Sequence, residues 1–209
     1  NCKIMKKTAN FFVHFRLAAA FLLAGLFAQG GLQAQSKWQV DTAHSTVKFS
    51  VQHLVISEVE GSFRTFDGSI VSKNDDFTDA VIDFSVDVNS INTDNEMRDN
   101  HLKGDDFFNA AKFPKMTFKS KSFKKVSGNK YELVGDLTIR DVTKTVKFDV
   151  TYGGTAKDPY GNIKAGFKAS AVINRFDYGL KWNALTEAGG AVVGNEVNVS
   201  LKLEFNKVQ

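Results

Sequence analysis

Cysteine is almost missing from this chain. The single example, Cys2, lies in an N-terminal segment expected to be removed. Without it the product has no disulfide, no thiol nucleophile and no cysteine to carry a lipid at a cleavage site. The sequence also lacks G-x-S-x-G, H-E-x-x-H, a phosphate loop and a dinucleotide fingerprint, so none of the common hydrolase, metalloprotease or nucleotide signatures is present. Long apolar runs are absent too. The longest, Leu17–Ala28, has 12 residues, well short of the roughly 20 that span a bilayer as a helix.

Charge of one sign is lacking once the N-terminus is set aside. Lys6, Lys7 and Arg16 precede the apolar run, and Gly30–Ala34 is small and polar, the pattern of a secretory signal peptide over residues 1–34 with cleavage after Ala34. A retained membrane anchor is the weaker alternative, because the run is short. That segment holds 4 of the 27 basic residues and no acidic one, leaving 23 of each sign in residues 35–209. The net charge of +4 therefore belongs to the leader and gives no reason to propose a nucleic-acid partner. The expected location is periplasmic or extracellular. Residues 35–209 form a single domain, with no linker or low-complexity segment to divide it.

Phenylalanine, by contrast, is abundant: 14 of the 19 lie after residue 34, enough for a thick core or a lined pocket. Apolar side chains alternate with polar ones in successive runs: Trp38–Val40; Val47, Phe49, Val51, His53 and Val55; Val59 to Ile70; and Ala80 to Val88. The same pattern returns at Met116–Ser120, Tyr131–Ile139, Val146–Tyr152, Ile163–Ile173 and Val197–Phe205, with a hairpin expected at Arg140–Lys144. This is period two, the mark of half-buried antiparallel strands. Eight or nine of them in a meander tend to close into a barrel, which removes exposed edges. Gly61, Gly135, Ala165 and Ala169 fall on the inward parity. They leave space inside such a barrel, or alternatively mark bends in the strands.

One stretch breaks the alternation. In Ile91–Phe118, Thr93 and Glu96 form a T-x-x-E capping box, and Lys103 and Gly104 supply a C-terminal stop, so a helix of about three turns is expected with Gly104 left-handed. Met97, His101 and Leu102 give it only a narrow apolar edge, and Phe107 and Phe108 follow in a second turn. The insert therefore serves either as a plug over one end of the barrel or as a lid on a cavity. Asp75–Asp76 and Asp105–Asp106 read as turn and cap residues. His44, His53 and His101 have no ligand-like spacing for a metal. His53 shares parity with Phe49 and Val51, so it is either a satisfied core histidine or a polar contact for a ligand head group. Arg98 and His101 supply similar contacts if the helix is a lid.

Several segments taken in order carry a family resemblance. They are W-x-V-D-x-x-H-S at Trp38–Ser45, F-x-V-x-H at Phe49–His53, G-x-F-x-x-F-x-G at Gly61–Gly68, R-D-x-H-L at Arg98–Leu102 and D-F-F at Asp106–Phe108. F-P-K-M-T-F at Phe113–Phe118, L-T-I-R-x-V-T-K at Leu137–Lys144 and N-R-F-D-Y-G at Asn174–Gly179 complete the set. Together they resemble the YceI-like lipid and polyisoprenoid-binding proteins. Asp141 and Thr145 depart from the glycine and proline common there, which bears on the hairpin turn.

The resemblance implies a mainly β fold, an antiparallel eight-stranded lipocalin-like barrel with a helical insert over one end. It would enclose an apolar tunnel for a polyisoprenoid, isoprenoid quinone or fatty-acid derivative. Tunnel lining or mouth is then expected from Phe49, Val51, His53, Phe63, Phe66, Phe84, Met97, Arg98, His101, Leu102, Phe107, Phe108, Phe118 and Phe167. No catalytic residue, metal or cofactor is expected beyond a bound lipid. The expected partners are that ligand and a transient contact with a membrane or membrane protein, the protein being a monomer or homodimer. The alternatives are an enzyme acting on such a lipid through His53, Arg98 and His101, or a packed barrel working through its surface.

Overall fold

The alternating runs pair as the sequence expects. In the computed structural model, which describes residues 35–185, 187 and 189–208, they form one continuous antiparallel sheet. The expected signal peptide, residues 1–34, lies outside the described residues. The strands are β1 (Ser36–Val40), β2 (Thr46–His53), β3 (Ser57–Phe63), β4 (Phe66–Ser72), β5 (Val81–Asp87) and β6 (Ile91–Asn92). After helix α1 (Glu96–Lys103) come β7 (Lys115–Ser127), β8 (Lys130–Ile139), β9 (Val142–Lys157), β10 (Ile163–Asn174) and β11 (Val193–Val208).

Eleven strands make eight staves, because the first six are three bent pairs. β1 and β2 lie end to end along β11, β3 and β4 follow the same line on their other side, and β5 and β6 continue it. From β5 the order runs β7, β8, β9, β10, β11, and β1 closes the ring on β11 through Lys37↔Val208 to Val40↔Phe205. Every stave thus neighbours the next in sequence, an up-and-down closed barrel in which, among the described residues, only the two-residue β6 lacks a second strand partner. All the pairings described for it lie within residues 36–208.

The first bend has a clear cause. The Asp41 carboxylate accepts from the Ala43 amide and from Lys164 Nζ at 2.8 Å, and the same Lys164 reaches Glu204 Oε1 at 2.8 Å. Ser45 Oγ accepts from the Glu204 amide, so β1 turns into β2 pinned to β10 and β11. Lys164 holds the Asp41 carboxyl far below the usual carboxylate range, and its own ammonium is stabilised in return.

The insert differs from expectation in three respects. The helix has eight residues, about two turns, and its cap is Asn95, whose side chain accepts from the Arg98 amide. Thr93 is instead buried and donates its hydroxyl and amide to Asp99 Oδ1 at 2.6 and 2.9 Å, which takes it out of the capping box. Gly104 is extended at φ −71° rather than left-handed. The β8–β9 hairpin is also tighter than expected, a two-residue turn at Arg140–Asp141 with Arg140 at φ +56°.

Candidate ligand-binding site

Inside the barrel is a cavity of about 230 Å³ whose wall is almost entirely carbon. Six phenylalanines and valines expected at this wall come from strands: Phe49, Val51, Phe63, Phe84, Phe118 and Phe167. Three more expected there, Leu102, Phe107 and Phe108, come from the insert.

The room for them comes from glycines. A Cβ on Gly61 would collide with the Phe49 ring, one on Gly68 with Phe84, and one on Gly135 with Phe118. Each ring lies flat over the glycine of a neighbouring stave instead of standing across the lumen. The inward glycines therefore create space indirectly, by letting the wall hold its own aromatics.

The two barrel ends differ. At one, the loop between β4 and β5 inserts Phe77, 2 % exposed, with ring centroids 5.2 Å from Trp38 and Phe167 and 5.5 Å from Tyr152. That loop is held by Asp79, which accepts from Ser72 Oγ and from the Lys73 and Asn74 amides; the Ser72 hydroxyl chiefly draws its carboxyl down to about 2. Sequence reading missed Phe77, since a lone phenylalanine among Asn, Asp and Thr looks like part of a turn.

The opposite end carries α1, the Phe107–Phe108 turn and residues 180–185 and 189–193. Here half-buried Val51, Leu102, Phe108 and Val193 stand between lumen and solvent.

Five expected site residues do not contribute to the wall. Phe66 is buried and stacked on Phe84 at 5.8 Å, and does not line the cavity. Met97 is 84 % exposed, on the solvent side of the helix. Arg98 turns back onto Thr93, donating Nε to its hydroxyl at 2.8 Å and Nη2 to its carbonyl at 2.7 Å. His101 is bonded to Asp106 at 3.1 Å and sits edge-on to Phe107 and Trp182, supporting the mouth from outside. His53 ends β2 opposite Val193 and Ser57, at the rim, and is not among the lining residues. The three histidines considered for a metal do not converge. Asp41, His44 and Glu204 do bring ligand atoms within 4.8 Å of one another, but Lys164 already bridges the two carboxylates.

Two arginines that sequence reading did not single out organise the mouth. Arg175 is 4 % exposed and reaches the cavity wall. It donates to four backbone carbonyls, those of Gly194, Leu180, Trp182 and Val193, at 2.7–3.2 Å, and its guanidinium stacks on Phe176 at 4.2 Å. Its bonded partners are dipoles rather than a carboxylate, and burial lowers its pKa. Arg140 donates to the carbonyls of Asp105, Phe107 and Gly179 at 3.1–3.3 Å and so ties the Phe107 turn to the β10–β11 connection. Beside it Tyr178 is 2 % exposed, its hydroxyl has no partner among the described residues, and burial pushes that hydroxyl up to about 12.

The relatives share this architecture. A UPF0312 protein of Staphylococcus aureus (strain N315) is 41 % identical over 167 residues, 79 % of this chain and 95 % of its own. A solved Campylobacter jejuni YceI protein is 33 % identical, with a TM-score of 0.65 over 76 % of this chain and 90 % of that one. A solved polyisoprenoid binding domain from Saccharophagus degradans, at 17 % identity and TM-score 0.59, covers 82 % of this chain and 98 % of that domain, a likeness of fold. The YceI-like domain model matches residues 38–205, the whole closed barrel with its insert and mouth. The chain belongs to the YceI-like domain family.

Proposed function

We propose that this protein holds a long-chain apolar molecule, such as a polyisoprenoid, isoprenoid quinone or fatty-acid derivative, inside its barrel for transport, storage or sequestration. The observation that carries this reading is the carbon-lined cavity, closed at the Phe77 end and bordered by half-buried side chains at the other. Water entering it finds almost no hydrogen-bond partner, so an apolar guest is the favoured occupant. Each methylene transferred contributes about 0.8 kcal/mol, so a ten-carbon tail contributes about 8 kcal/mol before ordering costs. Among the described residues lining the cavity there is no carboxylate, histidine, serine or cysteine, which favours burial of the guest over reaction with it. The S. degradans domain, described as polyisoprenoid binding, supports the same class of ligand. The signal-peptide pattern expected over residues 1–34 supports a place outside the cytoplasm.

Titration with a fluorescent polyene fatty acid tests the proposal. Its emission should rise and saturate near one probe per barrel. Val199→Phe, which places a ring in the middle of the lumen, should weaken binding without unfolding the protein. No emission change in protein freed of lipid, or equal binding by the Val199→Phe variant, would overturn it.

A further inference from the structure

The β2–β3 hairpin ends in three consecutive apolar residues that the barrel does not use. Leu54, Val55 and Ile56 are 37, 65 and 86 % exposed. Other exposed apolar side chains, such as Val81, Val126 and Val172, stand singly, as they do on most proteins. The backbone at this tip is also strained. Leu54 and Val55 have φ of +52° and +67°, the left-handed pair of values that Asn-Gly normally supplies in a tight hairpin, and a β-branched residue is especially disfavoured there. A chain selected for the hairpin alone would not carry Leu-Val at these positions.

Two further observations say what covers the tip. Its backbone is largely satisfied internally: the Leu54 amide donates to the Val192 carbonyl, the Ile56 amide to the His53 carbonyl, and Gln52 Nε2 to the Val55 carbonyl. Such a tip can enter a medium that offers no hydrogen bonds. It also belongs to the mouth. Val51 and Val193, on the strands that carry and flank the hairpin, line the cavity, and Val192 in turn bonds Ala184, which brings exposed Leu185 to the same rim.

We propose that Leu54–Ile56, with Leu185 beside them, form a surface that dips into a lipid bilayer and sets the cavity mouth against the source of its guest. The inference rests on the cavity reading above and adds to it a place of contact. The apolar side chains enter the acyl boundary, and because the tip carries no charge, neutral phosphatidylcholine suffices.

The test uses the chain from Gln35, which closes its own barrel, in flotation with phosphatidylcholine vesicles. The comparison is Leu54→Asn/Val55→Gly, a pair suited to left-handed φ. The unaltered protein should float with the vesicles, and the variant should lose about tenfold or more in partitioning. The variant should melt higher, by roughly 2–6 °C, showing that it folds. Both should bind the polyene probe equally in vesicle-free solution, so failure of the membrane contact is distinguishable from failure of the cavity reading. The proposal is overturned if the unaltered protein stays in solution, if the variant floats equally well, or if the tip proves to be buried in a dimer that the variant abolishes.

Discussion

Emptying the cavity is the perturbation whose size follows most directly from the structure. A void left in a packed interior costs roughly 24 cal/mol per Å³. For a cavity of about 230 Å³ that is on the order of 5 kcal/mol. A guest that fills it restores those contacts, and one held at a hundred times its dissociation constant adds about 2.7 kcal/mol by mass action. The void's cost is already part of the guest's affinity, so the mass-action gain sets the shift: in a barrel of this size each kcal/mol moves the melting temperature by roughly 2–4 °C, and stripping the guest should lower it by about 5–11 °C. The assay is differential scanning calorimetry on the protein as purified, after removal of lipid with hydrophobic resin, and after re-addition of a long-chain fatty acid. Full recovery on re-addition separates loss of guest from damage. Identical melting in all three samples would refute the reasoning, because a cavity of that volume cannot be filled and emptied without energetic consequence.

Further outcomes follow from single groups. Arg175→Met removes the donor to four carbonyls at the mouth; breaking such a buried charged network should cost about 3–5 kcal/mol in urea unfolding, and Arg175→Lys, with no fork, should recover less than half. Gly61→Ala should drive the Phe49 ring off the wall and into the lumen, weakening probe binding more than it lowers stability, as a titration beside a melt would show. Asp41 and Asp79 have carboxyls held below their ordinary value of 3.8, so their contributions are present above that value and lost as pH falls from about 4 toward 2. Lys164, shifted upward, contributes fully below 10.5 and loses its contribution only as pH rises through its higher folded value. Melting temperature against pH should therefore drop steeply on the acid side, and Asp41→Asn should flatten part of that drop.

The barrel was legible because its cause is local. Period-two alternation recurs in each run, and the inward parity that it assigns puts six expected strand residues on the cavity wall. Errors occurred where a local rule met a distant partner. Parity carried from Val51 to His53 and Val55 is correct until the chain reverses at Leu54, and alternation does not announce that reversal when the turn is built from Leu-Val rather than Asn-Gly. The T-x-x-E box at Thr93 gave way because Asp99 captures the Thr93 hydroxyl and Asn95 offers a competing cap. The bend at Asp41 depends on Lys164, 123 residues away, and the role of Arg175 depends on carbonyls of a connection with no regular pattern. Phe77 could be recognised as a plug only once Trp38, Tyr152 and Phe167 had been brought around it.

The central claim is that the cavity exists to hold a long-chain apolar guest. Native mass spectrometry of protein gently purified from its own host tests that claim most directly. The account predicts a single adduct per barrel, with the mass of a long-chain lipid or isoprenoid, released on unfolding and recovered in an organic extract. A bare polypeptide mass, unchanged after incubation with membrane lipids, would contradict it.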